Sequence, residues 1–528
     1  MNSPSGDRAT DGLNPPARRL VAPLSAGVVV LLMAALLANS MTKEVGRDEQ
    51  MYCTAGVLLS EGELPYRDFA YPSQMPYHPL LLATLYRGLG TTHYLLVGRL
   101  VSSLADILVV LLILLVYRSL FEHRRLEGLL LGLAAAVLHV FNPLVEYAAG
   151  YAWNHDVVVV LVMLALWLFL TTDFALPSRF WRAGLMGALL TLATCMRVTT
   201  VLVEILFLAA ILWAAGGTLR NRSITALPFS AAALIVAAWP AWVIAQAPQA
   251  FALNLFAIPA LYGRWLHEVG ITHDKLALTT AAFSTPGYLV LLVLTACLGW
   301  IGWRCRSEID KHEKPKAILA ALLPALFLLI AYIPPTMWRQ YLAVPVPFLV
   351  VAFAYPLLAL RRRSEQARGS ATHRIFSYAL VTAVLVSVLA RPVILYRSVF
   401  LLAPEQWTPV RLHRTSLEMA AEVDEPGPVL TLGPLHVLEG GRDIYPQLAC
   451  GSIIYRVADL MPAEARAITH TVGPESLDEM VQTRPPAAVL VGIEPPYFAF
   501  LEEPLEELVP SDWRRRIYET TLRLYSRP

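Results

Sequence analysis

The chain has 528 residues, of which 56% are hydrophobic and only 16% charged, where a soluble domain is roughly a quarter charged, so much of its surface faces lipid. A formal net charge of +2 excludes the basic field of a nucleic-acid binder. Five scattered cysteines without a CxxC pair or Cys/His cluster exclude a zinc site and a disulfide scaffold.

Residues 1–19 are polar and rich in Pro, Gly and Ser, which predicts a disordered cytoplasmic tail. The apolar run 20–41 is long enough to cross hydrocarbon and too long for a signal-peptide core. Segments of spanning length recur at 95–117, 127–146, 153–172, 183–197, 199–216, 225–246, 286–303, 316–333, 341–360 and 376–396, which makes eleven expected spans. Tyr77–Leu89 is apolar but too short to cross and reads as a re-entrant or interfacial helix. The loops "RSLFEHRRLEG", "GGTLRNRS", "RCRSEIDKHEKPK" and "RRRSEQARGSATHR" are basic, whereas "YAAGYAWN" has no Lys or Arg and 247–285 has only Arg264 and Lys275. Basic loops favour the cytoplasm. That alternation puts the N-terminus inside and residues 42–94, 247–285 and the C-terminal region outside.

After residue 400 the character changes. Turn signals (EPGP, EGGRD) separate β-like runs "PVLTL", "AAVLVG" and "RIYETTLRLYS", with helical stretches near Val410–Glu422 and Glu464–His470. The expected fold is thus an all-α polytopic membrane protein, residues 20–400, with a small α/β extracytoplasmic domain, 401–528. Cys53 and Cys450 fall on the outer side, where they could pair, and read as two free thiols.

The first outer loop holds the densest chemistry. "GRDEQMYC" places Asp48 and Glu49 beside the membrane edge, ahead of a helical stretch Gln50–Ser60, and "PYRDFAYPSQMPY" follows. Acids suit a helix N-terminus by themselves. A connector, however, would be shorter and blander, and loops on a rigid scaffold are where function concentrates.

"GRDEQMY", "LLSEGELPYRDFAYPSQMPYHPLLL", "AWNHDVVVVLVMLALWLFL" and "MWRQYLAVPVPFLV" together resemble the GT-C superfamily of membrane glycosyltransferases, most of all the branch of protein mannosyltransferases and lipid A aminoarabinose transferases. The resemblance covers roughly residues 20–400. It implies that Asp48 of the D-E-x-x-Y pattern is the catalytic base, with Glu49 as helper, Tyr52 as the pattern's tyrosine, and Asp156 of "NHD" as a second acid. It implies a polyprenyl-phosphate-sugar donor, a lipid, protein or glycan acceptor, and a bacterial plasma-membrane location. Tyr71, His78, His155 and Tyr341 join as binding candidates. The lipid A branch carries a Lys-Pro after the loop; here the place reads "YPSQMP", so the cation for the phosphate is sought among Arg197, Arg264 and Arg339. No outer D-x-D motif occurs, so no cofactor is assigned, and a divalent cation shared by Asp48, Glu49 and Asp156 is left open.

The residue types suit the chemistry. The lipid phosphate is already a leaving group, and a carboxylate can take the acceptor's proton as it attacks. Two ionisable residues lie within spans, where they are costly: Asp106 is expected to pair with Arg99, and Glu204 with Arg197. They are the support for a transporter or flippase as the alternative reading, which also calls for internal repeats and short loops. A non-catalytic glycan-binding relative is the third reading.

Overall fold

The computed structural model describes residues 15–366 and 371–528; the first fourteen residues of the expected N-terminal tail lie outside them. Chain order gives α1 Pro15–Thr42, α2 Arg47–Glu61, α3 Tyr77–Leu89, α4 Tyr94–Leu120, α5 Arg125–Val140, α6 Pro143–Ala148, α7 His155–Thr171, α8 Arg179–Thr194, α9 Val201–Ala215 and α10 Leu219–Gln246. Then come α11 Pro248–Ala252, α12 Ile258–Glu268, α13 Lys275–Phe283, α14 Pro286–Arg304, α15 Lys314–Tyr332, α16 Pro345–Ala352, α17 Ala354–Gln366, α18 Ala371–Ala390 and α19 Val393–Arg397.

Helix stands wherever the sequence predicted a span. Among the described residues, seven helices are long and apolar enough to cross a membrane, and the bent pair Phe376–Ala390 and Val393–Leu402 raises that to eight. The expected spans at 127–146, 153–172 and 183–197 are α5, α7 and α8, of 16, 17 and 16 residues. α7 is apolar on all sides and buried almost throughout, between α4, α8 and α15, as a helix without a polar face must be. On the periphery the apolar side chains stand free: Leu234 and Ile235 of α10 are each 75% exposed, which suits a lipid-facing surface.

The two ends of the bundle differ. At one, the basic loops gather into ion pairs: Arg124 with Glu127 and Glu365, Arg361 with Glu127, and Arg362 with Glu313. At the other, the C-terminal end of α1 and the first turns of α4 and α7 meet α2 and α3. Helices α2 and α3 approach so closely that a Cβ on Gly56 would lie 2.7 Å from Leu82 Cβ; only glycine permits that separation.

The C-terminal region is the α/β domain expected. Its four strands are β1 Val429–Thr431, β2 Ala488–Val491, β3 Arg514–Tyr518 and β4 Leu522–Ser526, in the order β1-β2-β4-β3. β1 and β2 are parallel; β4 is antiparallel to both β2 and β3. Helices α20 Thr408–Ala420, α21 Pro434–Leu438 and α22 Ser452–Ala458 surround the sheet. The domain is keyed to α2 and α4. Buried Gln50 accepts from Leu435 N (3.0 Å) and meets His436 Nδ1 (3.3 Å), and Glu439 accepts from Leu95 N (2.7 Å). Cys450 Sγ donates to Ala70 O (3.0 Å); Cys53 and Cys450 are both free, as expected, and both buried.

Candidate active site

The segment around "GRDEQMY" starts α2, and its geometry is set by Glu49. Glu49 sits at the third helical position and accepts from Gly46 N (2.7 Å), the reach-back half of a capping box. The same carboxylate takes a bidentate pair from Arg99, at 2.9 and 2.8 Å, and accepts from Ala152 N at 2.7 Å. Glu49 and Arg99 are both 0% exposed. Arg99 gives its remaining donors to the carbonyls of Ser40, Lys43 and Glu44 at 2.8–2.9 Å. One ion pair thereby ties the α1–α2 connection, α4 and the segment before α7 to the first turn of α2. The expected Arg99–Asp106 pair does not form. Arg99 sits about two turns nearer the helix end, beside the carboxylate that caps α2. Glu49 has no free lone pair left for a reacting proton; it positions its neighbour Asp48.

Asp48 points elsewhere. It lies on the wall of a cavity of about 310 Å³ with Arg47, Tyr52, Ser73, Gln74, Tyr147, Tyr151, Trp153, Tyr262, Trp338, Gln340, Tyr341, Ile453, Arg456 and Tyr497. The α1–α2 connection, the first loop, α6, α12, the stretch before α16 and the C-terminal domain all contribute. Burial pushes the Asp48 carboxyl above its ordinary value, while Arg456 and Arg47 pull it back. No ion pair engages it among the described residues.

The first loop is held over this cavity by a π-helical turn, Leu253–Ala257. Buried Asn254 accepts from Tyr71 N (2.9 Å) through its side chain and from Ser73 N (3.0 Å) through its carbonyl. Asn154, at the start of α7, accepts from Tyr52 Oη (3.2 Å) and donates to Gln74 Oε1 (2.8 Å). Gly150 adopts φ +83°, and a Cβ there would lie 2.7 Å from Ser40 Cβ, so the turn before α7 needs glycine.

The predicted residues separate into four groups. Asp48, Glu49, Tyr52 and Tyr341 line the cavity. Arg197 stacks on Tyr341 (4.8 Å) and Arg339 on Tyr147 (5.1 Å), next to lining residues but not lining the cavity themselves. Asp156, Tyr71, His78 and His155 are buried away from it. Asp156 is 1% exposed, accepts from Gly150 N (2.9 Å) and lies against Asp106, Ser102 and Lys43. His78 packs edge-on against Tyr52 at 5.1 Å, and burial pulls its imidazole down to about 3, so it is neutral. Arg264 is on an exposed face with Glu268 (2.9 Å). Glu204 accepts from Thr191 (2.7 Å) and Thr194 (3.1 Å) of α8 instead of pairing with Arg197.

Asp48, Glu49 and Asp156 therefore do not form a cation cage: Asp48 and Glu49 line the cavity but Glu49 is saturated, and Asp156 lies away from it. The other end of the molecule has a group of exposed Asp310 and His312 with half-buried Glu313, where Glu313 is paired with Arg362. Sequence reasoning missed Arg456, Tyr262, Tyr497, Tyr147 and Arg47. The aromatic density of the loops hinted at some of them; nothing around Arg456 in "SIIYRVADL" marked it.

No family model matches the chain, and no curated protein matches it in sequence. Among solved structures it is similar to ArnT from Cupriavidus metallidurans bound to undecaprenyl phosphate, with TM-score 0.56 and 14% identity over 97% of this chain and 98% of that one. The apo state of the same protein gives TM-score 0.57 at the same identity and coverage. The Archaeoglobus fulgidus oligosaccharyltransferase tethered with an acceptor peptide gives TM-score 0.48 and 13% identity over 96% and 74%. The ArnT match shows the fold: a polytopic helical bundle, matched over nearly the whole of both chains.

Proposed function

We propose that this protein transfers a sugar from a polyprenyl-phosphate-linked donor to an acceptor on the outer face of the membrane, with Asp48 as the base. The observation that carries the reading is the Asp48 carboxylate on the wall of a roofed cavity, unpaired and held there by the Glu49–Arg99 lock. The shared fold with a structure bound to undecaprenyl phosphate supports a lipid-linked donor.

In this reaction the acceptor hydroxyl oxygen attacks the anomeric carbon and its proton passes to Asp48. The bond from that carbon to the lipid phosphate oxygen breaks, and its electron pair leaves with the phosphate. One displacement inverts the anomeric centre and needs one base, unlike the paired carboxylates of glycoside hydrolysis. Burial suits Asp48 to the role, since a base works best when its pKa is brought toward the working pH. Tyr52 stands one helical turn on from Asp48, and Tyr341 lines the same cavity; their rings give the donor sugar apolar faces. The charges that favoured a transporter are otherwise engaged: Glu204 is held by two threonines and Asp106 faces Asp156.

The test is Asp48→Asn in membranes supplied with a radiolabelled polyprenyl-phosphate sugar. Removal of a general base lowers rate by about 10²–10⁴-fold. A folded variant that keeps more than about a tenth of wild-type transfer would sink the assignment of the base.

A further inference from the structure

We infer that Arg456, on α22 of the C-terminal domain, binds the phosphate group of the polyprenyl carrier, so that this domain completes the site instead of merely covering it. The inference rests on the lipid-phosphate donor proposed above. A cation is required there, and none of the three expected from the sequence is among the residues lining the cavity: Arg264 pairs with Glu268, and Arg197 and Arg339 lie over the rings of Tyr341 and Tyr147. Two arginines do line the cavity. Arg47 is engaged, paired with Glu494 and stacked over Phe498 at 4.9 Å. Arg456 is not. Its guanidinium lies over Tyr262 (5.2 Å) and Trp265 (5.0 Å), which fix its orientation. Among the described residues it has neither a hydrogen bond nor an ion pair, and its Nε is buried without an acceptor.

A guanidinium whose Nε is buried without an acceptor is costly unless an anion meets it. Aromatic faces offset part of that cost. The acids near it do not supply the rest: Glu494 belongs to Arg47, and Asp48 stands close enough to be felt but makes no ion pair. The missing anion is therefore external. The planar fork of arginine matches two oxygens of a phosphate at once. The donor phosphate is a diester with one negative charge. As the anomeric carbon–oxygen bond breaks, the electron pair stays on the phosphate, which leaves as a monoester with a second negative charge, while the acceptor's proton goes to Asp48. The attraction of Arg456 for the phosphate grows along that coordinate, as transition-state stabilisation requires.

The experiment uses the full-length protein in nanodiscs, with tryptophan fluorescence read against added undecaprenyl phosphate; Trp338 and Trp153 line the cavity and Trp265 underlies Arg456. Loss of a charge-assisted hydrogen-bond pair corresponds to about a 10–100-fold weaker affinity for Arg456→Gln. Arg456→Lys, a point charge without the fork, falls between the two. Undecaprenol, with the same tail and no phosphate, binds all three proteins alike. Equal affinity of wild type for inorganic phosphate and undecaprenyl phosphate would show a soluble anion and overturn the lipid assignment. Binding of undecaprenyl phosphate to folded Arg456→Gln within about twofold of wild type would overturn the role of Arg456 and leave the donor reading intact. Failure of wild type itself to bind would overturn both. Should Arg456→Gln not fold, Arg456→Lys decides: wild-type affinity there refutes the fork.

Discussion

Glu49→Gln is the substitution that most directly tests how this site is built. Glu49 and Arg99 are both fully buried, and the carboxylate accepts four hydrogen bonds, two of them from the guanidinium. Glutamine preserves shape but removes the charge and replaces one acceptor oxygen by a donor, which then faces one guanidinium N–H and one backbone N–H whichever oxygen it replaces. Breaking a buried ion pair from one side costs about 3–5 kcal/mol, because the other charge stays behind unpaired. At 1.4 kcal/mol per decade that is a hundredfold to several thousandfold change in the folding equilibrium. The full loss is not confined to stability, since Gly46 and Arg99 together set the direction of the first turn of α2 and hence of Asp48. The assay is denaturant unfolding of purified protein followed by tryptophan fluorescence, alongside transfer activity under folding conditions. The expected result is a large stability loss, with residual activity in the folded fraction above that of Asp48→Asn. The double variant Glu49→Gln, Arg99→Met should recover much of the stability, as apolar replacement of a buried pair often does. Stability within about 0.5 kcal/mol of wild type, the range of an ordinary surface change, would refute the lock. So would a folded Glu49→Gln protein as inactive as Asp48→Asn, because that result would make Glu49 itself a reacting group.

Two further outcomes follow from the same geometry. Asp48 accepts a proton only when ionised, and burial raises its pKa, so kcat falls as the pH drops through that raised value, with a midpoint above the ordinary carboxylate value of about 3.9. Arg456 opposes the rise, so at saturating donor Arg456→Gln moves the midpoint to higher pH; an acid limb that stays put refutes the coupling. Gln50→Ala strips the acceptor from the buried Leu435 N–H, a loss of about 1–3 kcal/mol, and should speed proteolytic release of the C-terminal domain; unchanged cleavage would show that the domain is anchored elsewhere.

The long apolar runs of "VVVVLVMLALWLFL" and its counterparts declared helices in lipid without any knowledge of neighbours, because spanning length and hydropathy are properties of single segments. The strands of the C-terminal domain were legible for a similar reason: "PVLTL", "AAVLVG" and the "RIYETTLRLYS" hairpin carry their own periodicity and turn. The importance of "GRDEQMYC" was legible from its position and its pattern. The partners were not. Arg99 was assigned to Asp106 because the two share a helix, yet a buried guanidinium satisfies five donors, and only the meeting of α1, α2 and α4 offers five acceptors in one place.

The sequence by itself thus determined a membrane-embedded helical bundle, an α/β domain after residue 400, and Asp48 as the residue to watch. These follow from local composition and from chemistry that one short segment can carry. Tertiary structure decided that Glu49 is a lock and that Asp156 and His78 lie behind the wall. It also decided that an arginine some four hundred residues later, without an ion pair among the described residues, lines the same cavity as Asp48. A charge finds its partner through space, and the packing of α2 against the C-terminal domain brings Asp48 and Arg456 to one wall, which no spacing along the chain encodes.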